Sequence, residues 1–251
     1  MSFERSTAGT GIGAEPAPTP APGDVGAATP LALQLQVLST EHWSLLASRS
    51  LAWNESFSRS GMFLSALSGA IVALALVAQA TDFGDGFRIF ALVILPVVLF
   101  IGLTTLIRLG IANYHDGLTV IGMNRIRAAY FERVPEVQRY FVMPGTDDTE
   151  STWRAMGMDI GFPTPLVLLA SAPALIGVLN AVIAGAIGAI AAIQLGADTG
   201  LSLLVGVIVF VVVFIAQTAF GRREALRDRA EFAPMFPAEP AEDAGTPSAL
   251  G

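Results

Sequence analysis

Four apolar blocks, each long enough to cross a bilayer, dominate the pattern of the chain. The first covers residues 61–80 (GMFLSALSGAIVALALVAQA) and the second 87–109 (FRIFALVILPVVLFIGLTTLIRL). The third covers 165–195 and the fourth 201–220 (LSLLVGVIVFVVVFIAQTAF). About 20 residues at 1.5 Å rise per residue traverse a hydrocarbon core of roughly 30 Å. The third block exceeds that need, so it is expected to tilt, bend at Pro173 or open with an interfacial turn. Pro96 lies inside the second and kinks it, a break tolerated where neighbours satisfy the freed carbonyl. The expected fold class is all-α: an integral membrane four-helix bundle with helical extensions into the cytoplasm and disordered termini.

Between and beyond the spans the period stays helical. Residues 40–60, with Ser39 or Thr40 as N-cap, place Trp43, Leu46, Ser50, Trp53 and Phe57 on one face. Residues 111–134 place Ile111, Tyr114, Leu118, Ile121 and Arg125 together, and Pro135 stops them. Residues 222–232 mix Arg with Glu224, Asp228 and Glu231 at helical spacing, as a salt-bridged stub in water would. The stretch 135–164 is turn-rich and carries a mobile PGTDDTES run. The chain thus divides into a disordered tail (1–30), an amphipathic helix (31–60), a first membrane hairpin (61–110) and a helical loop (111–164). A second hairpin (165–220) and a helix stub with a second Pro/Ala/Glu tail (221–251) complete it.

Composition agrees with a bilayer. Hydrophobic residues make up 53% and charged residues 14%, against about 25% charged in a usual soluble domain. The first thirty residues lack an apolar core of the signal-peptide kind, so the first span is expected to serve as the targeting signal. The arginines set the topology. TDFGDG and GADTG, which join spans one to two and three to four, are free of arginine except for Arg88 at the start of span two. Arg49, Arg59, Arg108, Arg125, Arg127, Arg133, Arg139, Arg154, Arg222, Arg223, Arg227 and Arg229 lie on the other side. The positive-inside rule therefore puts both termini and the middle loop in the cytoplasm of a plasma (inner) membrane protein. The arginines form no stripe, which excludes a nucleic-acid face. With no cysteine, disulfides, thiol catalysis and Cys-based metal sites are excluded.

Small residues recur every fourth position along two spans. Gly61, Ser65, Gly69 and Ala73 form one ladder, and Gly177, Ala181, Gly185 and Ala189 form another. Such faces let two backbones approach, so that dispersion replaces the missing hydrophobic drive. Whether they join helices within a subunit or between subunits stays open. Span four, rich in Val, Phe and Ile, reads as lipid-facing. Among polar residues in the spans, Asn180 is deepest and is expected to make an interhelical hydrogen bond or to line a cavity, with Arg108 near the inner end of span two.

The densest polar cluster is NYHDG, 113–117. His115 and Asp116 there suit a general base and its orienter; Tyr114 and His115 suit headgroup level. A metal site needs three or four ligands, and the only other histidine is His42, so no metal or cofactor is expected. No phosphate loop, dinucleotide fingerprint or nucleophile elbow occurs. A cytoplasmic helix, a tight membrane hairpin and a second long helix over about the first 135 residues resemble the layout of small bacterial membrane effectors of the SLATT type.

The expected function is non-enzymatic: a self-associating scaffold or pore-forming assembly, with the lipid bilayer and further copies of the chain as partners and no nucleic acid. A small-solute transporter or channel is one alternative. An inner-leaflet enzyme acting on lipid through His115 and Asp116 is the other.

Overall fold

The structure, a computed structural model, describes residues 30–158, 164–231 and 233–238. Residues 1–29 of the expected disordered tail 1–30, and the residues beyond 238, lie outside them; Pro30 already belongs to a helix. Two very long helices, α1 (Pro30–Thr81) and α2 (Asp85–Arg133), form an antiparallel hairpin. A 3-10 turn (Pro135–Tyr140) and the short helices α3 (Thr149–Ala155) and α4 (Thr164–Leu169) lead to a second hairpin. That hairpin consists of α5 (Ala172–Gln194) and α6 (Thr199–Glu231). Helices α1, α2, α5 and α6 are each long and apolar enough to cross a membrane, and among the described residues there is no strand. The chain is an all-α membrane protein.

Spans one, two and four run on as single helices. At 1.5 Å per residue, the 52 residues of α1 make a rod of about 78 Å, far longer than a bilayer is thick. The surplus of α1 before Gly61 and of α2 after Leu109 forms a two-helix stalk. Helix α1 begins at Pro30, whose fixed φ and missing N–H suit a first helical position. Thr40, read as an N-cap, instead lies inside the helix and donates its hydroxyl to the Gln36 carbonyl 2.9 Å away. Helix α2 passes through Pro96 unbroken and ends at Arg133, before Pro135.

A 3–4 spacing of inward positions holds the long hairpin together. On α1 the half-buried or buried series is Leu35, Leu38, His42, Leu45, Arg49, Ala52, Ser56, Arg59 and Phe63. On α2 it is Ala91, Leu95, Val98, Gly102, Thr105, Leu109, Ala112 and Asp116. This is the heptad seam of a coiled coil, in which side chains of one helix fill the gaps of the other. The pairing keeps one register along the rod: Phe63 beside Gly102, Arg49 on Asp116, Leu45 beside Gly122, and Arg133 on Gln34. The expected stalk face of Trp43, Leu46, Ser50, Trp53 and Phe57 is therefore not the one that packs; all five are exposed, although the Trp53 indole N–H reaches Asp116 of α2 from its edge. On α2 the packing face likewise falls beside the expected one, with Val120, Met123 and Asn124 buried and Ile111, Tyr114 and Leu118 exposed.

The bundle core is built from α1, α2 and α5, with Phe63, Leu95, Val98, Leu109, Ile176 and Ile183 at its centre. Helix α6 packs on α5. The third span is split: α4 ends at Leu169, and Ser171 caps α5 by accepting from the Ala174 N–H, with Pro173 in the first turn. Of the three expected solutions, the extra length becomes a turn and a separate short helix.

The loop expected to be mobile is ordered at Asp147 and Asp148. Asp147 is buried, and Asp148 caps α3 through the Ser151 N–H at 2.9 Å. The C-terminal segment, expected to be part of a free tail, returns at 233–238 to bond these two residues.

Candidate functional site

Each small-residue ladder has a different fate. On α5, an added Cβ at Gly185 would lie 2.8 Å from the Gly206 carbonyl oxygen of α6, and one at Gly206 would lie 3.0 Å from the Ala189 Cβ. Ala181 is fully buried and Gly177 faces Gln217. The α5 ladder is thus filled within the chain, and Ser202 and Gly206 answer it from α6 as a small-xxx-small pair. On α1, a Cβ at Gly61 or Gly69 would meet nothing within 4 Å, Ser65 is exposed and Ala73 is half-buried. That ladder faces outward.

The polar residues singled out in the sequence do not converge. Arg108 reaches across the hairpin to Glu55, which also accepts from Arg59 at 2.8 Å. Hydrogen bonds from Arg108 and then Arg59 hold the Glu55 carboxyl below the usual range. Tyr114 and His115 are exposed and set edge to face with ring centres 5.8 Å apart. Asp116 points the other way, into the seam, and is 5% exposed. Its carboxylate accepts from Arg49 Nε at 2.7 Å, Arg49 Nη2 at 3.3 Å and Trp53 Nε1 at 3.2 Å. A carboxylate held by a two-pronged arginine is engaged as an anchor, turned away from the neighbouring imidazole.

Asn180 is fully buried between helices. A Cβ on Gly102 would overlap its Oδ1 and crowd the Phe63 ring, so glycine opposite makes room for the amide, and neither amide atom has a hydrogen-bond partner. Arg108, by contrast, is exposed on the hairpin, so the two do not line a common path.

Further down the stalk sits a second polar knot that sequence reasoning missed. Asn124, fully buried, donates to the Thr146 carbonyl at 2.9 Å and accepts from Arg127. Burial and then repulsion from Arg49 lower the affinity of Arg127 for its proton; burial and then Arg127 do the same to His42. Arg125 Nε lies 2.8 Å from Asp147 Oδ2. The same carboxylate accepts the Met235 N–H at 2.9 Å and the Phe236 N–H at 2.7 Å. Burial pushes the Asp147 carboxyl up, but the bonds from Met235, Arg125 and Phe236 outweigh it and hold it below the ordinary value. The only advance signal was two adjacent aspartates in a turn-rich run.

Among the described residues, no three His, Asp or Glu come together as a metal site. Two open hollows of about 410 and 370 Å³ lie outside the spans, one lined by Pro135, Glu136, Gln138 and Arg139, the other by α1 residues Leu33 to Glu41. In the second, the Thr40 hydroxyl is engaged by the Gln36 carbonyl of its own helix. No family model matches the chain, and no curated protein or solved structure matches it.

Proposed function

We propose that the chain is a non-enzymatic membrane scaffold that associates with further copies of itself through the outward face of α1. The supporting observation is a second 3–4 series on that helix: Trp43, Leu46, Ser50, Trp53, Phe57, Gly61, Leu64, Ser68 and Ile71, every one exposed. Lipid is able to cover the part from Gly61 onward. Trp43 is 68% exposed and lies about 27 Å along the helix from Gly61, in water, where an aromatic row favours a protein partner. A partner must therefore match the row both inside and outside the bilayer. A second copy, inserted the same way, offers the same series in parallel, related by a two-fold axis along the membrane normal. Small residues at Ser50, Gly61 and Ser68 let the two helices approach closely.

Single cysteines test this cleanly because the chain has none of its own. Ser50→Cys and Ser68→Cys, each in vesicles, should cross-link copy to copy. Val93→Cys and Leu203→Cys, exposed on α2 and α6, should not. Equal cross-linking at all four positions, or none at 50 and 68, rejects the α1 interface. Ion flux through proteoliposomes then separates a closed scaffold from a pore formed between copies.

The proposed placement is the plasma membrane with the stalk in the cytoplasm, supported by the arginines at that end of the bundle. Cysteines at positions 85 and 198, in the two tight turns, should react with an impermeant reagent in intact cells. Those at 149 and 230 should react only after lysis. Labelling of position 149 in intact cells overturns the orientation.

A further inference from the structure

The segment Ala-Pro-Met-Phe-Pro-Ala, 233–238, has few backbone donors, because Pro234 and Pro237 carry no N–H. The remaining donors from 235 onward are Met235, Phe236 and Ala238, and all three go to carboxylates. Met235 N–H meets Asp147 Oδ2 at 2.9 Å and Phe236 N–H meets Asp147 Oδ1 at 2.7 Å. Ala238 N–H meets Asp148 Oδ2 at 3.3 Å. In return the Asp147 N–H donates to the Phe236 carbonyl at 3.0 Å. The prolines fix φ and deny the segment a helix of its own, and the backbone bends at Met235 and Phe236, which turns their successive N–H groups onto one carboxylate. Arg125, on α2, holds Asp147 from the other side at 2.8 Å.

We propose that Arg125, Asp147 and Asp148 form a binding site for a bent, proline-flanked peptide, and that the chain's own segment 233–238 is its resident ligand. Recognition is through backbone amides: the Met235 side chain is 66% exposed and contributes little, whereas the paired N–H groups are matched one by one. An anionic acceptor roughly doubles the strength of such bonds, and burial of Asp147 shields them from water. The consequence is a clasp. Helix α6 continues past its span to Glu231, and the strap after it ties that end to α2. The two hairpins are thereby joined outside the spans as well as within them. A segment of similar pattern from another protein would have to displace the strap to bind there. The clasp does not depend on self-association through α1.

Residue-resolved amide hydrogen exchange on the full chain in nanodiscs tests it. In the native protein the amides of Met235 and Phe236 should exchange at least roughly tenfold more slowly than in the free peptide. Asp147→Asn should remove that protection while the spans of α5 and α6 keep theirs. Met235→Pro deletes one donor without touching Arg125 or Asp147, and should speed exchange at Phe236 even if the aspartate variant folds poorly. Free-peptide rates in the native protein, or protection unchanged in Met235→Pro, overturn the clasp. So does a Thr146→Cys, Met235→Cys pair that cross-links only between differently tagged copies, since the strap would then belong to a neighbour.

Discussion

Gly185→Leu is expected to force α5 and α6 apart. A Cβ at this position already lies 2.8 Å from the Gly206 carbonyl and 3.2 Å from the Phe210 Cβ, and the first of these is backbone that cannot rotate aside. Overpacking a tight contact costs about 1–3 kcal/mol, and an isobutyl group against a main chain belongs at the upper end, about 3 kcal/mol. Burial cannot repay the loss, because lipid already surrounds the helices with apolar contact. The variant should melt well below the native protein in detergent. Val212→Leu, at a position 58% exposed to lipid, should shift stability by no more than about 0.5 kcal/mol. Equal melting of the two variants would reject the Gly185–Gly206 crossing as a structural constraint.

The second large effect belongs to Asp116. Asp116→Asn removes the negative charge that Arg49 holds at 2.7 Å and leaves a half-buried guanidinium unpaired. Breaking a fully buried pair costs about 3–5 kcal/mol; the Arg49 side chain is 25% exposed, so water screens part of it and about 2 kcal/mol is expected. Replacing both residues by leucine should recover most of the loss, because no charge then remains buried. His115→Gln, on the outer face, should melt with the native protein. Activity separates scaffold from lipid enzyme. Should the His115→Gln, Asp116→Asn pair be present at normal levels yet inactive in cells, the non-enzymatic function falls. A normal phenotype leaves an inner-leaflet enzyme without a base.

The spans and their continuation into a stalk were legible because bilayer length and helical period leave long traces in a sequence. The choice of face on α1 was not. Two 3–4 series run side by side along it, one holding His42, Arg49 and Arg59, the other Trp43, Trp53 and Phe57. Hydrophobicity favours the second, yet α2 takes the first: Asp116 of α2 pairs with Arg49 of that series, and Arg108 of α2 reaches Glu55 beside it. Such pairing lies 53 to 67 residues apart in the chain and leaves no local mark. The close approach of α5 could be read from its glycines, whereas its partner Ser202-xxx-Gly206 was hidden among Val and Leu. The strap was invisible for a different reason: Pro and Ala signal a free tail, and only the position of Asp147 in space makes their backbone a ligand.

Helix α2 crosses the bundle and leaves it without interruption, so its 49 residues act as a lever. The part beyond Leu109 is about 36 Å long at 1.5 Å per residue. Helices in bilayers tilt by tens of degrees as the hydrocarbon thickness changes. A change of about 10° at the span would sweep the far end of this rod through about 6 Å, roughly a helix radius. The α1–α2 seam keeps the two rods together, so a small change of tilt within the bilayer becomes a displacement of the whole stalk outside it.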